Sequence, residues 1–147
     1  MSKDESGTRK VLFLCTHNSA RSQMAEGLLR TYGEGEVEVH SAGTEATRVR
    51  PEAITVMAEG GIDISDQTSK TLDPFVSRHF DYVITVCDSA HESCPIFPNA
   101  LHRWHWSIQD PSRVKGSEAE RLAAFRAARE ALDARIREEL LPEIGLE

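Results

Sequence analysis

The amino-acid sequence predicts an α/β fold: one domain built on a parallel sheet with helices on both faces. Three observations carry that expectation. Short apolar, β-branched runs alternate along the chain with stretches of helical periodicity, the pattern of β–α–β units. The 147 residues suffice to bury one substantial core. No linker, internal repeat or low-complexity tract divides them, so the domain is expected over 9–141, with flexible polar tails at 1–8 and 142–147.

Each element has its own signal. Lys10 to Leu14 reads as a fully buried strand, too short for a helix. Met24, Leu28 and Tyr32, spaced by four, give Ser22 to Tyr32 one apolar helix face, closed by Gly33. Val37 to Ser41 alternates as a second strand, with Ala42-Gly43 as a turn. Pro51 opens a helix with Ile54, Met57 and Ala58 inward, and Gly60-Gly61 stops it. Leu72 to His79 is expected to form another short helix. Asp81 to Val86 is a β-branched central strand ending at Cys87. Asp88 to Ser93 is a candidate short helix that must stop near Cys94, because Pro95 and Pro98 forbid its continuation. His102 to Trp106 is the last strand. Ser117 and Glu120 form a capping box before the apolar stripe Leu122, Phe125, Leu132, Ile136 and Leu140.

The totals exclude several function classes. A net charge of −7 argues against a nucleic-acid partner, which needs a basic face. No apolar stretch approaches a membrane span, and Val11 to Leu14 is too short for a signal-peptide core, so a cytoplasmic location is expected. A small anion is still compatible with an acidic protein, because a local array of N–H groups can hold it. Three cysteines in such a chain are catalytic, redox-active or simply buried.

Cys15 to Arg21 is a Cys-x5-Arg loop between a strand and a helix, and its placement gives the pattern meaning. Successive backbone N–H groups of Thr16, His17, Asn18, Ser19, Ala20, Arg21 and Ser22 can converge there on an oxyanion, aided by the helix N-terminus. The same dipoles and Arg21 favour Cys15 as a thiolate. Arg21 offers a two-pronged clamp for a tetrahedral oxyanion. Asn18 tolerates the left-handed conformation of a tight loop, and Ser19 and Ser22 can bond the loop or the sulfur. Cys15 and Cys87 both end strands, where ligands collect in parallel sheets. Against these stand plainer readings, with Cys15 a small buried hydrophobe and Arg21 a solvated helix residue.

"CTHNSARS" resembles the signature loop of the low-molecular-weight tyrosine phosphatase superfamily. "CTHNSARSQMAEG", with "HSAG" at His40 to Gly43, "GIDIS" at Gly61 to Ser65 and "DP" at Asp110-Pro111, more closely resembles its thioredoxin-coupled arsenate reductases. The resemblance implies a four-stranded parallel sheet with flanking helices; a monomer with no cofactor and no metal is expected. The resemblance also implies a choice between two chemistries that share a first step. In both, the Cys15 thiolate attacks a tetrahedral oxyanion while an acid, Asp110, protonates the departing oxygen. A phosphatase then hydrolyses a Cys15 thiophosphate, as it does with phosphotyrosine. A reductase instead sends a second thiolate to the sulfur, since arsenic has an accessible trivalent state.

"VCDSAHESCP" resembles the reductases' redox segment. That implies Cys87 attacking the Cys15 adduct, Cys94 attacking Cys87, and thioredoxin reducing the Cys87–Cys94 disulfide, with phosphate and sulfate competing with arsenate. A non-catalytic oxyanion-binding or redox-sensing module is a third class. Several positions depart from the pattern. His17 stands where glycine is common, Ala20 where cysteine is frequent, and Ser112 where the phosphatases carry tyrosine. Lys70 stands where potassium-binding members carry aspartate, although Asn18, Glu26 and Ser41 are present; its ammonium is expected near Glu26 in place of the cation. The His91/Cys94 and His102/His105 pairs lack the spacing of a closed zinc site.

Overall fold

The structure is a computed structural model that describes residues 8–88 and 96–146. Four strands, β1 (Arg9–Cys15), β2 (Val37–Gly43), β3 (Phe80–Thr85) and β4 (Ala100–His105), form one parallel sheet in the order β2-β1-β3-β4. The first strand in the sequence is thus an inner one. Its alternation sorts the core: Val11 and Phe13 join the cluster under the helices, while Leu12 and Leu14 enter a second cluster on the opposite face. Helices α1 (Arg21–Gly33), α2 (Pro51–Glu59) and α3 (Glu118–Arg135) contribute Met24, Leu29, Met57, Phe125 and Leu132 to the first cluster. Phe75, Phe80 and Phe97 cover the second, in edge-on contacts at 6.0 and 5.7 Å.

The four expected strands and the helices expected after the Cys15 loop, at Pro51 and behind Ser117 are present, with boundaries moved where long-range contacts act. Helix α1 ends at Gly33, but the left-handed cap falls one residue later. Glu34 takes the left-handed cap (φ 48°) and its N–H reaches the Arg30 carbonyl, while Gly33 faces Val37, which leaves no room for a Cβ without adjustment. The region of Leu72 to His79 holds only a 3₁₀ turn, Asp73–Phe75, with Pro74 inside it. The Asp88–Ser93 helix, Cys94 and Pro95 fall outside the described residues beyond Asp88. Trp106 is buried, 6.3 Å from Phe13, and Trp104 packs edge-on against Tyr82. The capping box forms as expected, with Ser117 and Glu120 exchanging hydrogen bonds.

The C-terminal tail expected from Pro142 is corrected. Pro142 lacks an N–H and its ring crowds the carbonyl four residues back. The helix widens into a π turn at Ile136–Leu140, where the Leu141 N–H reaches the Ile136 carbonyl, and continues as α4 (Leu141–Ile144). Leu141 and Ile144 are buried in the core under the helices, and Leu146 packs against them. Among the described residues no helix is long and apolar enough to cross a membrane.

Candidate active site

Cys15 is the last residue of β1, only 2% exposed, and lies in register with Gly43 of β2. The loop behind it turns through Asn18, whose φ of 49° makes the tight bend. That bend points the Asn18 N–H at the Cys15 sulfur, 3.2 Å away. The Ser22 hydroxyl lies 2.8 Å from the same sulfur. Because the Asn18 side-chain amide donates to Ser22 Oγ at 2.8 Å, the Ser22 hydrogen is free to point at sulfur. Two potential donors therefore face the Cys15 sulfur, just ahead of the N-terminus of the 13-residue helix α1.

The loop is held from beneath by a fully buried amide network. Asn18 Nδ2 also donates to Ser41 Oγ at 2.9 Å, and Asn18 Oδ1 accepts from Gln23 Nε2 and from the Lys70 N–H, each at 2.8 Å. Gln23, wholly buried, spans from the Asn18 carbonyl to the Thr68 carbonyl at 3.0 and 2.9 Å. The Ser41 hydroxyl donates to Glu26 Oε1 at 2.5 Å, and Glu26 pairs with the Arg30 guanidinium, which also donates to the Val39 carbonyl. The cation in contact with Glu26 is thus Arg30. Lys70 is half-buried and donates to the Thr68 carbonyl at 2.6 Å. Burial pushes its ammonium below the usual lysine range, Glu26 draws it back up, and Arg30 pushes it down further.

Gly43 has a different role from the turn expected of it. A Cβ there would stand 2.7 Å from the Thr16 carbonyl, 2.8 Å from the Asn18 nitrogen and 2.9 Å from the Cys15 carbonyl. Only glycine lets β2 pass this close to the loop. At the rim, exposed His17 faces Glu45 at 3.7 Å, while Glu45 and Arg50 N–H groups bind the Thr16 and Ser19 carbonyls. Ala20 is buried behind the loop.

Arg21, 3% exposed, extends to the segment after β4, where its Nη1 donates to the Ile108 carbonyl at 3.0 Å and its Nη2 lies 3.6 Å from Asp110 Oδ2. Arg21 and Asp110, far apart in sequence, are therefore adjacent. The other Asp110 oxygen accepts from Ser112, through the N–H at 2.9 Å and the hydroxyl at 2.6 Å.

Cys87 follows β3 by two residues. The Val86 N–H donates to the Leu14 carbonyl at 2.8 Å and the Cys87 thiol points at the same carbonyl from 4.0 Å. Cys15 and Cys87 thus leave neighbouring strands at one end of the sheet, both buried and both unbridged. Cys94 and His91 lie outside the described residues. His102 stacks on Tyr82 while His105 bonds the Thr85 hydroxyl, so the two imidazoles serve opposite faces of β4. Among the described residues, no three His, Cys, Asp or Glu side chains form a metal-binding group. Gln23, Gly43 and the Ile108 carbonyl are the functional groups that sequence reasoning missed; the close approach to Gly43 has no local signal.

Known proteins resemble this chain in sequence and fold. An arsenate reductase from Bacillus licheniformis is 43% identical over 129 residues, 88% of this chain and 93% of its own length. The solved structure of an arsenate reductase in its phosphate-binding state superposes with a TM-score of 0.79 at 38% identity, covering 92% of this chain and 98% of the other. A thioredoxin-dependent arsenate reductase from Corynebacterium glutamicum gives 0.73 at 35% identity, over 97% of this chain and 64% of its own. The sequence profile of the low molecular weight phosphotyrosine protein phosphatases matches residues 10–145. With that profile spanning the sheet, the Cys15 loop and Asp110, the chain belongs to the low molecular weight phosphotyrosine protein phosphatase family.

Proposed function

We propose that this protein reduces arsenate to arsenite through a relay of its three cysteines. The observation that carries the reading is Cys87, 0% exposed and leaving the strand beside that of Cys15. A hydrolase needs no second thiol there. The residues Thr16 to Ser22 bind the oxyanion through their N–H groups, and Arg21 grips it from the side. The Cys15 thiolate attacks As(V), and Asp110 gives its proton to the departing oxygen, which leaves as water. The Cys87 thiolate then attacks Cys15 sulfur. A disulfide forms, the S–As bond breaks, and its electron pair stays on arsenic, which leaves as arsenite. Attack of Cys94 on Cys87 frees Cys15, and the resulting Cys87–Cys94 disulfide is reduced by a dithiol donor.

Thioredoxin is that donor in this reading, supported by the dependence stated for the Corynebacterium relative. Such a relay requires a reducing compartment, which supports the cytoplasm, and one chain holds every group it needs, which supports a monomer. Phosphate and sulfate share the oxyanion's shape and compete with it. An NADPH-coupled assay with thioredoxin and its reductase tests the proposal. NADPH should be consumed with arsenate and not with phosphate, and consumption should vanish in each of Cys15→Ser, Cys87→Ser and Cys94→Ser. Hydrolysis of an aryl phosphate that survives Cys87→Ser, with no arsenate turnover in the unaltered protein, would identify a phosphatase instead.

A further inference from the structure

We propose that Ser112 is a positioning residue that aims the proton of Asp110 into the oxyanion site. Asp110 and Ser112 stand two residues apart on the rim of the site, around the 3₁₀ turn Pro111–Arg113. The backbone of Ser112 alone would satisfy that turn, because its N–H already bonds Asp110 Oδ1 at 2.9 Å. The hydroxyl adds a second donor to the same oxygen at 2.6 Å. An oxygen that accepts two hydrogen bonds has both in-plane lone pairs engaged. The carboxyl plane is then fixed, and the acidic proton resides on the other oxygen, Oδ2.

Oδ2 is the atom that faces Arg21 Nη2 at 3.6 Å. That separation exceeds a hydrogen bond, so Oδ2 is presented to the site without being tied to the clamp. A competing orientation exists. Asp110 also lines a cavity of about 270 Å³ with Ile108, Val114, Ala124, Ala127 and Ala128, where α3 presents only methyl groups. A carboxyl released from Ser112 can turn into that space and carry its proton away from Arg21. The two hydrogen bonds from Ser112 oppose that turn.

Ser112 acts in this way only if Asp110 is the proton donor, so the inference rests on the function proposed above. The test is a double-mutant cycle on the whole protein, read as single-turnover arsenite release from pre-reduced enzyme across arsenate concentrations. Ser112→Ala should slow the saturated rate about tenfold, a part of the ~10²–10⁴ that a positioned acid supplies. The half-saturating arsenate concentration should stay unchanged, because the loop and Arg21 are untouched. Ser112→Thr, which keeps the hydroxyl, should restore the rate. In an Asp110→Asn background, Ser112→Ala should cost nothing further. An equal loss in both backgrounds, a rise in half-saturation instead of a slower rate, or an unaltered Ser112→Ala rate would each overturn the role of Ser112 alone. An Asp110→Asn variant as fast as the unaltered protein would remove the acid itself.

Discussion

Gly43 shows how a single atom governs the chemistry of this site. Its missing Cβ is what allows β2 to lie against the carbonyls of Cys15 and Thr16 and the nitrogen of Asn18. Gly43→Ala must push the loop outward by a fraction of an ångström, which turns the Asn18 N–H from sulfur. Its arsenate turnover is expected to fall on the order of a hundredfold, the scale of small misplacements of reacting groups. Turnover equal to that of the unaltered protein would show that the close approach is not needed. Glu26 gives a second residue-scale expectation. Its carboxylate is already matched by Arg30, with Ser41 and the field of Lys70 beside it. Turnover should therefore be unchanged when potassium replaces sodium at equal ionic strength, and a strong potassium-specific stimulation would contradict that account. Cys15 and Arg21 stand out in the sequence because their residue types and spacing match a known loop, and Asp110 because its Asp-Pro pair resembles the same family. Gln23 and Gly43 do not, because their partners lie in other segments and no local pattern encodes a distance.

At the scale of elements, hydrophobic period predicted the strands and helices, while their ends depended on tertiary partners. Val37 to Ser41 was read as the second strand; the structure extends it to Gly43, since β1 supplies a ladder partner for both added residues. The C-terminus shows the same effect more strongly. Pro142 reads as a helix stop, yet the π turn before it lets the chain continue and place Ile144 in the core under the helices. Ile144→Ala is expected to destabilise the protein by about 2–4 kcal/mol, the cost of emptying a buried aliphatic site. The shift in urea midpoint measures it. A change within about 0.5 kcal/mol, as for exposed positions, would mean that the segment adds nothing to the core.

On the scale of the whole molecule, the sheet order β2-β1-β3-β4 is what brings the chemistry together. It sets β1 and β3 side by side, so that Cys15 and Cys87 emerge at one end, while the chain after β4 carries Asp110 back to Arg21. Alternating strands and helices made the parallel sheet legible, and the resemblance supplied its four strands. Strand neighbours cannot be read from a hydrophobic pattern, because every buried strand has the same pattern. The overall negative charge gives no sign of an anion site; the Cys15 loop suggests one, because backbone N–H groups and one buried arginine can supply a positive field without a basic surface.

In the proposed relay, electrons pass from the Cys15–Cys87 pair directly to arsenic. The most direct measurement treats reduced Cys94→Ser protein with arsenate, counts arsenite, and maps the disulfide by peptide mass spectrometry. One arsenite per chain, with Cys15 and Cys87 joined, is the result predicted. Arsenite absent, or released while Cys87 remains a free thiol, would contradict it.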